Sequence, residues 1–215
     1  LRICLAAEGY EIFEAYNGME ALNVIRQNDI HLVLLDIMMP EMDGISTLAK
    51  IRENYNMPVL FISAKSEDAD KILGLNIGAD DYITKPFNII EVVARVKSNL
   101  RRYMRLGSNV SGSSRIEIGG LCLDDSEKTV TADGEEINLT PTEYEILKLL
   151  MKNPGKVFSP REIYEKVWKE TLLGSENTVA VHIRHLREKL EINPADPRYI
   201  KVVWGQGYKI QGVGR

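Results

Sequence analysis

The chain has 215 residues, of which 44% are hydrophobic and 27% are charged, enough for one or two domains with packed cores. No apolar stretch approaches the roughly 20 residues of a membrane helix and no secretory leader opens the sequence, so we expect no membrane insertion. Cys4 and Cys122 form no cluster, which favours a location in the reducing cytoplasm. The net charge of −4 is unevenly distributed along the chain. Residues 177–215 carry seven Lys or Arg and three Asp or Glu, whereas residues 107–176 carry eight Lys or Arg and thirteen Asp or Glu.

Strand and helix patterns alternate through the first half of the chain. The predicted strands cover residues 10–16, 31–36, 58–62 and 81–84. The predicted helices cover residues 19–27, 45–53, 68–77 and 89–102. The runs 31–36 and 58–62 are short and continuously apolar, which is typical of strands covered on both faces. This rhythm predicts a doubly wound α/β domain with a parallel sheet, over residues 1–102.

A change of pattern follows a small, polar segment, which we predict to be a linker at residues 103–115. Beyond it, predicted strands cover residues 116–123, 129–132 and 136–139, and predicted helices cover residues 141–153, 160–167 and 176–191. Two further strands, 200–203 and 207–210, flank a glycine-containing turn and predict a closing β-hairpin. Residues 116–215 are therefore predicted to form a separate α+β domain.

Three polar residues lie at the ends of predicted strands. Asp36, Ser63 and Lys85 should meet at one edge of the sheet, because parallel strands place ligands beyond their carboxyl ends. An aspartate there could instead cap a helix or open a turn. Pro40 and Gly44 favour a fixed loop after Asp36 and argue against a cap. Asp36 as nucleophile would take a phosphoryl group, Lys85 and Mg²⁺ would neutralise its charge, and Ser63 would donate a hydrogen bond.

Four motifs around this edge resemble the receiver domain of bacterial response regulators, which has a flavodoxin-like fold. They lie at residues 34–40, 62–64, 78–82 and 84–87. The resemblance implies that Asp36 accepts a phosphoryl group from a sensor histidine kinase and that the Met38 backbone carbonyl ligates Mg²⁺. It also implies that Ser63 and Tyr82 act as the switch pair. Receivers begin with a strand that ends in two acidic metal ligands, and we expect this strand and roughly 15–20 residues to be missing from the chain.

The third helix of the second domain has two kinds of surface. An apolar stripe is predicted from Val179, Ile183, Leu186 and Leu190. The opposite face would display Asn177, Val181, Arg184, His185 and Glu188, with Thr178, His182 and Arg187 on its flanks. Such residues can contact base edges and phosphates, as the basic charge of this end of the chain suggests. An ordinary solvated face is the alternative for an isolated helix.

The second half, at about residues 116–211, resembles the winged-helix effector domain of OmpR/PhoB response regulators. The resemblance rests on residues 139–147, 159–162, 179–187 and 203–208, and the recognition helix and wing are similar to those of VanR-type regulators. It implies that helix 176–191 enters the major groove of double-stranded DNA and that Lys209 in the wing reaches the backbone or minor groove. The loop 169–175 would face RNA polymerase. Trp168 and Trp204 are expected to pack within the domain.

The receiver resemblance also implies a homodimer on activation. In this family the face made by helix 68–77, strand 81–84 and helix 89–102 forms a symmetric dimer. Two cross-subunit ion pairs are candidates, Lys71 with Glu91 and Asp81 with Arg95, around an apolar centre of Ile72, Leu75 and Ala94. Linking two DNA-binding halves in this way would favour tandem half-sites. Salt bridges within one chain are the alternative.

Two other functions compete with a phosphorylation-switched transcription regulator. An aspartyl-phosphate hydrolase or phosphotransferase usually needs a second carboxylate two residues after the nucleophile, and that position is Met38. A regulator that binds DNA constitutively would be supported only by the missing acidic pair. We therefore predict a DNA-binding response regulator and not an enzyme.

Overall fold

A computed structural model of the chain describes residues 1–64, 78–106, 115–169 and 177–211. It divides into two compact units, Leu1–Tyr103 and Met104–Arg215. The predicted helix 68–77, most of the linker and most of the loop 169–175 lie outside the described residues. Within the described ranges, no helix is long and apolar enough to cross a membrane.

The first unit contains a parallel three-stranded sheet. Its strands are β1 (Val33–Asp36), β2 (Val59–Ser63) and β3 (Asp81–Thr84), in the order β1-β2-β3. Its helices are α1 (Arg2–Ala7), α2 (Gly18–Gln27), α3 (Gly44–Arg52) and α4 (Ile89–Leu106). All five residues of β2 are buried, as expected of a central strand covered on both faces. The predicted parallel α/β architecture is confirmed.

One predicted strand of this unit does not form. Residues 10–16 have no regular secondary structure, although Tyr10 and Ile12 pack against the core. A strand requires a neighbour that accepts and donates backbone hydrogen bonds, and the ladder of the described sheet ends at β1. The strand predicted at residues 10–16 is therefore wrong, although Tyr10 and Ile12 are partly buried.

The second unit is α+β, as predicted. A four-stranded antiparallel meander, β4 (Arg115–Ile118), β5 (Leu121–Asp124), β6 (Thr129–Ala132) and β7 (Glu135–Glu136), precedes the helices α5 (Pro141–Met151), α6 (Pro160–Trp168) and α7 (Asn177–Leu190). The hairpin β8 (Ile200–Val203) and β9 (Gly207–Ile210) closes it. The predicted single strand 116–123 is two strands, because Gly119 adopts a φ of 61° and turns the chain between them.

Capping residues fix where α5 and α6 begin. The Thr140 and Ser159 side chains each accept a hydrogen bond from the backbone N–H three residues on, and Glu143 and Glu162 accept in turn from the cap backbone N–H. The indole of Trp168 is fully buried and stacks on Tyr164 with ring centroids 4.7 Å apart, as predicted for this tryptophan. These contacts hold the ends of α5 and α6 within one core that also includes the apolar stripe of α7.

Candidate phosphoryl-acceptor site and nucleic-acid interface

The parallel register brings the predicted acceptor residues to one edge of the sheet. Asp36 lies opposite Ile62 as β1 ends, and Ser63 lies opposite Thr84 as β2 and β3 end. The backbone N–H of Lys85 donates to the Ser63 carbonyl at 2.7 Å, which carries the ladder one residue beyond β3. The Asp36, Ser63 and Lys85 residues, with their carboxylate, hydroxyl and ammonium groups, therefore lie at the ends of three neighbouring strands.

The Asp36 carboxylate has two partners at this edge. Lys85 Nζ forms an ion pair with Oδ2, and the Met38 backbone N–H donates to Oδ1 at 3.1 Å. The side chains of Asp36 and Lys85 are 32% and 39% exposed, so solvent and a donor molecule can reach them. The Lys85–Pro86 peptide bond is cis. A reachable carboxylate held beside a fixed ammonium suits transfer of a phosphoryl group.

The loop after Asp36 depends on a close backbone approach. The Gly44 N–H donates to the Ile37 carbonyl at 3.0 Å, and a Cβ on Gly44 would lie 2.2 Å from the Asp36 carbonyl oxygen. The helix cap at this end of α3 is Asp43, whose side chain accepts from the Ser46 N–H at 2.6 Å. That hydrogen bond lowers the pKa of Asp43. Asp36 is thus not the helix cap, and its carboxylate remains at the sheet edge.

The predicted switch residues differ in exposure. The Ser63 side chain is fully buried at the end of β2. Tyr82 is half-buried in β3, pairs in register with Phe61, and donates its backbone N–H to Asp81 Oδ1 at 2.8 Å. Ser63 lies in the strand next to that of Asp36, and Tyr82 lies one strand further away. Their action as a switch pair stays a prediction.

The residues around Asp36 fit a magnesium site only in part. Mg²⁺ takes oxygen ligands, usually one or two carboxylates together with waters and phosphate oxygens. The contacts that Asp36 makes are to an ammonium and an amide, not to a second carboxylate. The Asp36 carboxylate is the acidic group among these contacts that could hold such an ion, and the Met38 carbonyl as a second ligand stays a prediction.

An arginine that the sequence analysis did not single out positions the neighbouring segment. Arg52 donates to the Gly78 carbonyl at 2.9 Å, the Met57 carbonyl at 2.8 Å and Asp80 Oδ2 at 2.8 Å. Asp80 is fully buried and also accepts from the Val59 N–H at 3.0 Å. The start of β2 is thereby fixed to the approach to β3. No local pattern could reveal this, because Gly78 and Asp80 lie 26 and 28 residues from Arg52.

The candidate dimer pair Asp81–Arg95 forms within one chain. Arg95 Nη1 donates to both Asp81 oxygens at 2.9 Å, and the two side chains are only 4% and 5% exposed. Arg95 Nε donates to Glu91 Oε1 at 3.0 Å, one helical turn away in α4. The intramolecular alternative is therefore the one the structure contains. Lys71, the candidate partner of Glu91, lies outside the described residues.

Helix α7 is buried over a wider arc than predicted. The stripe Val179, Ile183, Leu186 and Leu190 is in the core as expected. The predicted exposure of four other residues is wrong, because Thr178, Val181, His182 and His185 are buried too. His182 lies 5.7 Å from the Trp168 ring by centroids, and His185 faces Glu143. Packing of α7 against α5 and α6 thus removes two histidines from any nucleic-acid surface.

The exposed part of α7 is narrower than predicted. Arg184 is exposed and pairs with Glu188 at 2.8 Å. Arg187 instead donates from Nε and Nη2 to the Ile200 carbonyl at 3.1 and 2.8 Å, which ties α7 to the hairpin. Burial lowers the pKa of this guanidinium. Asn177 begins the helix, and the structure does not describe its side chain.

The β8–β9 hairpin exposes a large aromatic side chain. Trp204 at its turn is 90% exposed, so the expectation that it packs is wrong. Gly207 has a φ of 140°, and a Cβ there would lie 2.1 Å from the Phe158 carbonyl oxygen, with which the Tyr208 N–H bonds at 2.9 Å. This close approach fixes the base of the hairpin, with Lys209 half-buried in β9.

Comparison with known proteins agrees with both units. Residues 1–97 match the family described as response regulator receiver domain, and residues 134–210 match the family described as transcriptional regulatory protein, C terminal. The chain is thus a two-component response regulator with a receiver domain and a DNA-binding winged-helix domain.

Individual relatives make the family explicit. The chain is 45% identical over 207 residues to the uncharacterized transcriptional regulatory protein YcbL of Bacillus subtilis, covering 96% of this chain and 92% of that protein. It is 45% identical over 209 residues to regulatory protein VanRc of Enterococcus gallinarum, with coverages of 96% and 90%. A solved structure of a RitR mutant aligns with a TM-score of 0.74 at 28% identity, over 97% of this chain and 91% of that one. The chain belongs to the OmpR/PhoB family of response regulators.

Proposed function

We propose that the protein is a transcription regulator switched by transfer of a phosphoryl group from a sensor histidine kinase to Asp36. The observation that carries the proposal is the ion pair between Asp36 and Lys85 at the strand ends of a receiver domain, in a chain that also has a winged-helix domain. We propose domain limits of 1–102 for the receiver, 103–115 for the linker and 116–215 for the winged helix. Both partners, a kinase and double-stranded DNA, imply a cytoplasmic location.

The chemistry at Asp36 requires little rearrangement. One carboxylate oxygen attacks the phosphorus, a P–O bond forms, the P–N bond to the donor histidine breaks, and the proton needed by the leaving imidazole comes from solvent. The Lys85 ammonium, already at the carboxylate, neutralises charge on the phosphoryl oxygens. Mg²⁺, when bound at Asp36 and the Met38 carbonyl, supplies further positive charge there. Ser63 then donates to a phosphoryl oxygen, and Tyr82 turns inward in response.

The output that we propose is binding of dimers to tandem DNA half-sites. Arg184 and Asn177 on α7 would contact base edges, and Lys209 in the wing would contact the backbone. Glu91 remains 37% exposed beside Arg95, so it can still pair with Lys71 of a second copy. The loop 169–175 would contact RNA polymerase. Joining two receivers raises the local concentration of two DNA-binding domains, which increases affinity for adjacent sites.

A direct test treats the full chain with a small phosphodonor and Mg²⁺ and measures its intact mass. We expect a gain of one phosphoryl group in the wild type and none in Asp36→Asn, a variant of nearly equal volume without the nucleophile. Lys85→Ala should slow the gain by orders of magnitude with the fold unchanged. An equal gain in Asp36→Asn would remove Asp36 as acceptor, and turnover of the phosphodonor without a stable product would favour the enzyme alternative.

A further inference from the structure

Three buried residues at the junction of α5 and α7 bring metal-ligating atoms together. One ligand atom each from Glu143, His182 and His185 lies within 4.8 Å of the other two. Glu143 is 1% exposed, His182 1% and His185 7%. Glu143 comes from the first turn of α5, whereas the histidines are three residues apart on α7. That spacing places both imidazoles on the same side of the helix, facing one carboxylate.

This donor set matches the ligand preference of zinc. Zn²⁺ binds imidazole nitrogen and carboxylate oxygen at about 2.0–2.2 Å, and two His with one Glu is an established three-ligand set that leaves a fourth position for water. Two ligands on one tetrahedral ion lie roughly 3.4 Å apart at those bond lengths. His185 Nδ1 lies 3.7 Å from Glu143 Oε1, which is too long for a direct hydrogen bond and close to this separation.

The two oxygens of Glu143 have different surroundings. Oε2 accepts from the Thr140 N–H at 2.8 Å, which completes the helix cap, and from Lys189 Nζ at 2.7 Å. Oε1 faces His185. A cation bound at Oε1 would therefore leave the cap intact. The Lys189 side chain is 35% exposed, so its ammonium can move into solvent as positive charge enters the site.

We propose that Glu143, His182 and His185 bind a zinc ion that joins the start of α5 to the middle of α7. The inference does not depend on phosphorylation of Asp36 or on DNA binding. An ion that bridges two helices stabilises the folded domain, because such a site is absent from the unfolded chain. Its consequence for function would be a recognition helix whose position depends on metal supply.

Co²⁺ is a suitable probe, since it takes the same tetrahedral sites and absorbs visible light there. Titration of the full chain should give intense visible bands that saturate at one ion per chain and disappear when Zn²⁺ is added. Glu143→Gln retains an oxygen for the Thr140 N–H, and His185→Gln retains a polar side chain. Each should weaken binding by more than about 100-fold. His185→Arg can pair with Glu143 directly, so it should retain the fold and lose the metal.

Two matched variants distinguish this site from others. His31→Gln removes the remaining histidine of the three in the sequence, and Glu188→Gln removes an exposed carboxylate from the same helix. Both should bind Co²⁺ as the wild type does. At a hundredfold excess of free zinc over Kd, the Tm of the winged-helix transition should rise by about 10–20 °C in the wild type and should not change in His185→Arg. Unchanged Co²⁺ affinity in a folded His185→Arg or Glu143→Gln chain, or loss of the bands in Glu188→Gln, would overturn the proposal.

Discussion

Replacing Arg95 by alanine should strongly destabilise the unphosphorylated receiver. Arg95 Nη1 contacts both oxygens of Asp81 at 2.9 Å, and neither side chain is more than 5% exposed. The substitution would leave the Asp81 carboxylate buried beside an empty volume, with its remaining bond to the Tyr82 N–H at 2.8 Å. Breaking a buried ion pair on one side costs about 3–5 kcal/mol, because the partner charge is no longer compensated.

The assay is urea unfolding of the full chain, followed by a signal from the receiver, with Lys97→Ala as the matched control. Lys97 is on the same helix, but its pair with Glu8 is exposed at 48% and 37%, so its loss should cost about 0–1 kcal/mol. The double variant Asp81→Asn/Arg95→Gln should recover part of the loss. A cost for Arg95→Ala no greater than that of Lys97→Ala would refute the intramolecular assignment and return the pair to the subunit interface.

Four further results are expected. Burial opposes ionisation of Asp125, but hydrogen bonds from Lys128, Lys148 and Tyr144 outweigh it and hold the pKa of this carboxyl well below its ordinary 3.8. The stabilisation from ionised Asp125 is therefore complete above about pH 4 and is lost as the pH falls towards the lower pKa of the folded state. The midpoint of urea unfolding should consequently change less between pH 3 and pH 6 in Asp125→Asn than in the wild type. Gly44→Ala should lower the free energy of unfolding by about 1–3 kcal/mol and slow phosphorylation, because its Cβ would meet the Asp36 carbonyl. Stability equal to that of the wild type would contradict this contact. Arg184→Ala should weaken binding to a selected DNA site by about 10–100-fold, whereas Glu188→Ala should not. Trp204 is exposed and Trp168 is buried, so DNA should quench the fluorescence of the wild type but not of Trp204→Phe.

The receiver edge could be predicted because its determinants are local in sequence. Apolar runs that end in Asp36 and Ser63 predict buried parallel strands, and the rule for parallel sheets places their ends together. The structure contains both strands and the ion pair that joins Asp36 to Lys85. The geometry of the loop after Asp36 depends on the close approach of Gly44 to the Asp36 backbone, which no sequence pattern predicts.

The surface of α7 could not be predicted in the same way. Periodicity identifies one apolar stripe, but a helix packed against two others is buried over a wider arc. Thr178, His182 and His185 therefore lie inside although they are polar. The polar partners of such side chains can be distant in sequence. His185, for example, faces Glu143, which lies 42 residues earlier in the chain. The opposite error occurred at Trp204, which lies at a tight turn where none of the described elements covers its side chain.

The measurement that tests the central claim most directly is the affinity for duplex DNA with and without phosphodonor. A site selected from random duplexes would be presented once and as two adjacent copies, at fixed salt, since affinity depends on ionic strength. We expect phosphorylation to raise affinity for the paired site by about tenfold or more and to have little effect on the single site. Asp36→Asn should show no such increase. Equal affinity before and after phosphorylation would contradict the switch and leave a regulator that binds DNA constitutively.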